Sequence, residues 1–165
     1  MFKIGDYIMY SLTGVCKVID IVKEKYFDSD EKDYYVLEPV YATTKTVIKI
    51  PVDNKKVFMR PIISKEDIDD LIDEIPLEEE IWIDDERERN HQFKLMVHSG
   101  DCKQWSTLIK SIFLKKEEKK KVGKKITQED ERLMKSAEKL LNEEIATILH
   151  ILPDEVPGYI QNKIS

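Results

Sequence analysis

The stretch YIMYSLTGVCKVIDIV, residues 7–22, decides the fold of the first part of the chain. Its two apolar runs, residues 7–10 and 14–22, are rich in aromatic and β-branched side chains, which favour strands. Residues 11–14, where the first run ends and the second begins, include Ser, Thr and Gly, which favour turns. The stretch therefore predicts two short, successive strands.

Three similar runs follow at residues 34–37, 46–50 and 57–59. Turn-prone clusters at residues 28–33, 42–45 and 51–54 separate them. Five short strands so close together in the first sixty residues predict a small meander that curls into an SH3-like or Tudor-like β-barrel.

The hydrophobic period changes after Pro61, from strand to helix spacing. Ser64 to Asp67 has the form of a capping box, with a shorter acid at its last position. Apolar residues then recur at helical spacing as far as Ile75, and Pro76 should end that helix.

Three more helices are predicted. One begins near Asp84 or Asp85 and runs to residues 99–100, one is capped by Asp101, and a long one opens at residues 127–130. Residues 115–125 read as a charged hinge, and the prolines at 153 and 157 break the end into a short tail. The chain is thus predicted to be α+β, with a five-stranded barrel in residues 1–62 and a helical bundle in residues 63–165.

Charge is unevenly distributed along a chain whose net charge is −6. Residues 61–90 carry three basic and thirteen acidic side chains, whereas residues 91–126 carry ten basic and three acidic ones. The basic part can bind a polyanion because the local potential decides the contact. No apolar run is long enough for a membrane span, and the start lacks the apolar core of a signal peptide, so we expect a cytoplasmic protein.

Catalytic and cofactor motifs are weak in this sequence. His91, His98 and His150 are too scattered for a metal site, and the glycines do not form a phosphate-binding loop. The remaining enzyme hypothesis is a reactive thiol at Cys102 with His98 nearby, because a helix start can lower the pKa of a thiol. The absence of an orienting third group favours a non-enzymatic protein without cofactors.

The basic residues between the third and fourth helices admit two interpretations. They form either a solvated connection or a surface that contacts phosphates without reading sequence. These residues are Lys115, Lys116, Lys119, Lys120, Lys121, Lys124 and Lys125.

Trp82 also admits two interpretations. It could form a hydrophobic staple at the start of the second helix, with Ile81 and Ile83 beside it. Alternatively, it is a rigid wedge for a minor groove or an unpaired base, and neighbouring cations hold the phosphates. Those cations are Arg87, Arg89 and Lys94. Trp105 lies on a helical apolar stripe and is predicted to be a core residue.

Lys49 lies in the fourth predicted strand. It could simply point outward from an alternating strand, or it could meet an acidic patch on a protein partner at an open sheet edge. The sequence pattern does not favour either interpretation.

The chain resembles the CarD/CdnL family of bacterial transcription regulators over about residues 1–150. The resemblance rests on the order of several segments: FKIGDYIMYSLTGVCKVIDI, DYYVLEPVY, TVIKIPVDN and MRPIIS in the first part, and ITQEDERLMKSAEKLLNEEIA in the second. In that family, a Tudor-like module shared with the transcription-repair coupling factor binds the β subunit of RNA polymerase. The helical domain contacts promoter DNA at the upstream edge of the bubble.

The resemblance also implies roles for individual residues. Lys49 takes the position of a polymerase contact, and a second contact falls at Glu24 or Lys25. Trp82 takes the position of the tryptophan that wedges into the minor groove and favours the open complex. Unlike the family pattern, Ile-Asp-Asp follows Trp82, and these carboxylates would repel phosphate at short range.

Together, these observations predict a monomeric regulator that binds the RNA polymerase β subunit and promoter DNA, without a small-molecule substrate or membrane. The alternative is a polymerase-binding adaptor whose acidic surface at residues 66–88 docks protein rather than DNA.

Overall fold

The computed structural model describes residues 1–27 and 30–165 and divides into two compact units, Met1–Ile62 and Ile63–Ser165. The turn predicted at residues 28–33 includes residues 28 and 29, which lie outside the described residues. The division falls where the sequence changes from strand spacing to helix spacing.

The first unit contains one antiparallel sheet, with its strands in the order β4-β3-β2-β1-β5. The strands are β1 Tyr7–Tyr10, β2 Gly14–Glu24, β3 Lys32–Pro39, β4 Ile48–Pro51 and β5 Met59–Pro61. The predicted α+β class with five strands is confirmed. Closure into an SH3-like or Tudor-like barrel stays a prediction, because β4 and β5 stand at the two ends of the strand order.

The fifth strand begins two residues later than predicted. Asn54 explains the delay, because its side-chain oxygen accepts the N–H groups of Lys56 and Val57 at 3.1 and 3.3 Å. Its amide nitrogen donates to the Val57 carbonyl at 2.7 Å, so Val57 belongs to the turn and not to the strand. Pairing with β1 therefore starts at Met59.

The core of the sheet unit consists of side chains from one face of the central strands and β4. They are almost completely removed from solvent and are Ile8, Cys16, Val18, Tyr35, Leu37 and Ile50. Tyr35 also accepts the N–H of Phe2 through its hydroxyl at 3.0 Å, which fixes the start of the chain to this core.

The second unit contains five α-helices. They are α1 Lys65–Glu74, α2 Glu86–His98, α3 Cys102–Lys120, α4 Gln128–Leu149 and α5 Val156–Ile164. Side-chain caps begin the first four of them, as the sequence predicts, at Ser64, Asp85, Asp101 and Thr127. Within residues 1–27 and 30–165, no helix is both long and apolar enough to cross a membrane.

Two predicted irregular segments prove to be largely helical. Residues 115–120, predicted as part of a hinge, extend α3, because lysine and glutamate are good helix formers whatever their charge. The chain leaves the helix only at Lys121–Gly123, where Gly123 has a φ of 72°. The predicted tail forms α5, because Pro157 lies in the first helical turn, where its missing N–H costs nothing.

The helical core includes Phe93 from α2 and Trp105, Leu108 and Ile112 from α3, all fully buried. The prediction that Trp105 is a core residue is confirmed, and its indole N–H donates to the Val97 carbonyl at 3.0 Å.

Glu144 of α4 is also fully buried in this unit. One of its oxygens accepts the Ile63 N–H, and the other accepts the Cys102 thiol, each at 2.9 Å. These bonds satisfy the carboxylate and join the first residue of the unit and the start of α3 to α4.

Candidate functional site

Trp82 lies just before α2, three residues ahead of its N-cap Asp85. The indole is half-buried and packs edge-on against Phe93, with ring centroids 5.9 Å apart and an interplanar angle of 65°. Two cations approach the same ring. The Arg89 guanidinium carbon lies 4.4 Å from the ring centroid, and the Lys115 ammonium lies 5.3 Å from it. Cations at these distances are attracted to the π system of an indole.

Arg89 is held by a buried carboxylate on another helix. Its Nε and Nη2 donate to the two side-chain oxygens of Asp130 at 3.1 and 3.0 Å, in a bidentate arrangement. Its Nη1 donates to the carbonyls of Ile83 and Asp84 at 3.0 and 3.3 Å. The arginine thus joins α4 to the segment that carries Trp82.

The position of Arg89 does not fit the phosphate contact that the sequence predicts. Arg89 is 4% exposed and Asp130 is fully buried, so the guanidinium cannot reach a polyanion without breaking this pair. The residues near Trp82 in the sequence do not indicate this pairing, because Asp130 lies 41 residues further along the chain than Arg89.

The packing of Trp82 also differs from the hydrophobic staple that was its alternative interpretation. A staple joins the residue before the N-cap to the fourth residue of the helix. Here those residues are Asp84 and Arg89, and neither is apolar. Trp82 does pack at the helix start, but its contacts are Phe93 and a guanidinium.

Arg87 and Lys94 differ from Arg89 although they lie on the same helix. Both side chains are exposed on α2, where a ligand can reach them. The exposed Asp84 and Asp85 lie between Trp82 and the start of this helix, and they place negative charge beside the indole.

The lysines of residues 115–125 are divided between the end of α3 and the loop that follows it. Lys115 lies 3.5 Å from Glu118, and Lys116 lies 3.1 Å from Glu131 of α4. Lys119 is half-buried, whereas Lys120, Lys121, Lys124 and Lys125 are exposed.

A groove of about 440 Å³ lies at the start of α4, close to these lysines. Its lining includes Lys116, Lys120, Lys124 and Lys125, together with the N-cap Thr127. Four lysines and the positive end of a long helix place positive charge at this groove, and Glu117 and Glu131 in the same lining offset part of it.

Lys49 of β4 forms an ion pair with Glu24 of β2, and β3 lies between these two strands in the sheet. Its ammonium lies 2.5 Å from Glu24, and the two side chains are 41% and 29% exposed. The Tyr26 hydroxyl donates to the same carboxylate. The hydrogen bond from Lys49 and then that from Tyr26 hold the pKa of Glu24 below its usual range. Lys25, the other basic residue predicted to contact polymerase, is exposed.

β4 lies at an end of the strand order and pairs with β3 on one side. Val47, just before it, is 54% exposed, and Lys49 lies within it. An end strand leaves backbone hydrogen-bonding groups for pairing with another chain. Asp130 and Tyr26 were not predicted from the sequence to act at either site, and Glu24 was predicted as one of two alternatives for a polymerase contact but not as the partner of Lys49. Each becomes relevant only through a contact in the folded unit.

Cys102 is buried, with 7% exposure, and its thiol donates to Glu144. A buried thiol next to a carboxylate lacks the exposed, electropositive surroundings of a reactive cysteine. Among the residues that the structure describes, no group of His, Cys, Asp and Glu could hold a metal ion.

Comparison with protein families matches residues 2–63 to the CarD-like/TRCF RID domain, which covers the sheet unit except for Met1. The sheet unit is a CarD-like domain. This family is a class of RNA polymerase-interacting modules and is not an enzyme class. No curated protein matches the chain. The CarD-like domain contains Lys49, Glu24 and the open edge of β4, whereas the Trp82 cluster lies outside the matched residues.

Proposed function

We propose that the protein is a transcription regulator that stabilises the open promoter complex. The CarD-like domain binds the RNA polymerase β subunit, and the helical unit binds promoter DNA at the upstream edge of the bubble. The observation that carries this proposal is the family match over residues 2–63. The protein acts as a cytoplasmic monomer and needs no small-molecule substrate.

The polymerase contact is proposed to involve Lys25, Lys49 and the edge of β4. The strand edge supplies backbone hydrogen bonds to a strand of the partner, and the lysines supply a charge match. Curling of the five strands into a Tudor-like barrel would present this edge on a small, rigid surface. Glu24 reduces the charge match, because it already pairs with Lys49.

The DNA contact is proposed to centre on Trp82. The indole wedges into the minor groove at the edge of the bubble, and exposed cations neutralise the surrounding phosphates. The supporting observation is that a large aromatic ring is only half-buried and has Lys115 beside it. The phosphate contacts are Arg87, Lys94, Lys115, Lys116, Lys119, Lys120, Lys121, Lys124 and Lys125, without Arg89.

The affinity for DNA can be weak because the CarD-like domain tethers the helical unit to polymerase. Tethering raises the effective concentration of the second contact. The wedge acts by preferring melted or distorted DNA over closed duplex. A preference of about 1.4 kcal/mol would shift the opening equilibrium about tenfold.

The test is the lifetime of open complexes formed by reconstituted polymerase with the full chain and with Trp82→Ala. The proposal requires a lifetime about tenfold shorter with Trp82→Ala, from the same arithmetic. Polymerase binding is measured in parallel and should stay unchanged. Trp82→Phe is the matched variant, since it keeps an aromatic ring.

A second candidate function is a polymerase-binding adaptor without DNA contact. The favouring observation is the exposed acidic surface of residues 66–88, which includes Glu66, Asp70, Asp73, Glu79 and Glu80. An unchanged open-complex lifetime with Trp82→Ala, together with intact polymerase binding, would favour this function over the DNA contact.

A further inference from the structure

Arg89 is one of three groups that attach the Trp82 segment to the helical core, beside the ring contact with Phe93 and the hydrogen bond from the Ile81 N–H to the Ser111 hydroxyl. The guanidinium lies against the indole, and its Nη1 bonds the carbonyls of Ile83 and Asp84, the two residues that follow Trp82. The same guanidinium is bonded through Nε and Nη2 to Asp130. Arg89 is therefore the residue that contacts both the Trp82 ring and the backbone that follows it.

Asp130 is in turn fixed by the fold of α4. It is the third residue of that helix, and its backbone N–H donates to the Thr127 hydroxyl at 3.1 Å. A carboxylate in the first turn of a helix is favoured by the positive helix end. Asp130 is fully buried, so its position is set before any ligand arrives.

Ordinary folding stability does not explain why this pair consists of charged residues. Buried ion pairs can often be replaced by apolar residues of similar volume at little cost. An apolar pair cannot replace the planar guanidinium, which donates hydrogen bonds to a carboxylate and two carbonyls and also contacts an aromatic ring. The charged pair therefore provides contacts to the Trp82 segment that apolar packing would not provide.

We propose that Arg89 and Asp130 form a positioning pair that holds Trp82 in a preset orientation for its DNA contact. Arg89 does not touch DNA itself and acts through Trp82. Preorganisation of this kind lowers the entropy lost when the ring is immobilised on a ligand. The inference rests on the proposed DNA-binding function but makes a prediction of its own about the free protein.

The test uses the full chain with Arg89→Met and Asp130→Leu together. This double variant removes the fork and leaves no buried charge unpaired, so the helical unit should keep its circular dichroism spectrum. Arg89→Lys is the conservative variant, because it keeps the charge but loses the bidentate geometry. Gln92→Ala, exposed on α2 and three residues away, is the matched control.

The first readout is acrylamide quenching of tryptophan fluorescence without DNA. Trp105 is fully buried, and Trp82→Phe gives its signal alone for subtraction. The double variant should raise quenching at Trp82, Arg89→Lys should raise it less, and Gln92→Ala should leave it unchanged. Quenching of the double variant equal to that of the wild type would overturn the positioning role, whatever happens with DNA.

The second readout is the lifetime of the open complex. The double variant should lose as much lifetime as Trp82→Ala, about tenfold on the scale used above, while polymerase binding stays intact. A looser Trp82 with an unchanged lifetime would overturn the functional part of the inference. If Trp82→Ala itself has no effect, the DNA-binding proposal fails, and the quenching result still decides whether the pair positions the ring.

Discussion

The two units each contain a basic residue that pairs with a carboxylate from a distant part of the chain, but the surroundings of the two pairs differ. Arg89 and Asp130 have side chains 5% and 0% exposed, whereas Lys49 and Glu24 are 41% and 29% exposed. Water screens the second pair and is excluded from the first. The sequence offers a partner contact as one of two interpretations for each of these basic residues.

The difference shows which basic side chains are available for binding. A buried charge leaves its partner only at a high cost, because the remaining charge is stranded away from water. An exposed pair contributes little to stability and exchanges its partner easily. Arg89 therefore has a structural role in the helical unit. Lys49, in contrast, can exchange Glu24 for a carboxylate of a partner.

The largest effect is expected from Asp130→Ala. It strands the buried guanidinium of Arg89 and should lower the free energy of unfolding of the helical unit by about 3–5 kcal/mol. Urea denaturation followed by helical circular dichroism measures this change. Arg87→Ala is the control and should stay within about 0.5 kcal/mol of the wild type. A stable Asp130→Ala variant would mean that water reaches the pair.

Lys49→Glu should affect binding more than folding. Reversing this exposed charge should weaken polymerase binding by about tenfold, mainly through slower association, with a normal urea midpoint. Surface plasmon resonance on immobilised core polymerase gives both rates. Lys55→Glu reverses an exposed charge in the turn after β4 and serves as the control. Equal losses in both variants would contradict a specific role for Lys49.

Glu24→Gln should strengthen the same interaction by a smaller factor. Removal of the carboxylate releases Lys49 from its internal partner, so the ammonium is available to the acidic surface of a partner. The gain should shrink as salt is added, because exposed charges are screened beyond about 10 Å at 0.1 M. Weaker binding by Glu24→Gln would show that the pair itself is recognised.

The smallest expected change is in the pKa of Glu24. The hydrogen bond from Lys49 is the main cause of its lowered pKa, so Lys49→Ala should raise the pKa toward the usual range of a glutamate. The pair therefore stabilises the fold above the ordinary pKa, and this contribution is lost as pH falls through the lowered value. Carboxyl NMR titration measures the change. An unmoved pKa would assign the shift to Tyr26 instead.

Much of the fold could be predicted from local patterns. Ser64, Asp85, Asp101 and Thr127 each begin a helix as expected, because a cap depends on residues only two or three positions away. The five strands also follow from apolar runs and turn residues. Closure of the sheet depends on how strongly the strands twist and bend, and no local pattern encodes this.

The candidate sites depended on contacts that no local pattern contains. Arg89 pairs with a residue 41 positions away, and Lys49 with one 25 positions away. The prediction of a hinge at residues 115–120 was wrong for a different reason. A run of lysines is compatible with a helix, and Gly123 marks where α3 has ended. Charge patterns locate exposed residues poorly when a buried partner lies far along the chain.

Each unit contains one buried cysteine, Cys16 in the sheet and Cys102 among the helices. Reaction of either thiol with a labelling reagent requires that its unit open first. The rates at which the two positions are labelled would therefore report the opening of the two units separately, in the unmodified protein. A partner that binds the sheet should slow labelling at Cys16, and one that binds the helices should slow it at Cys102.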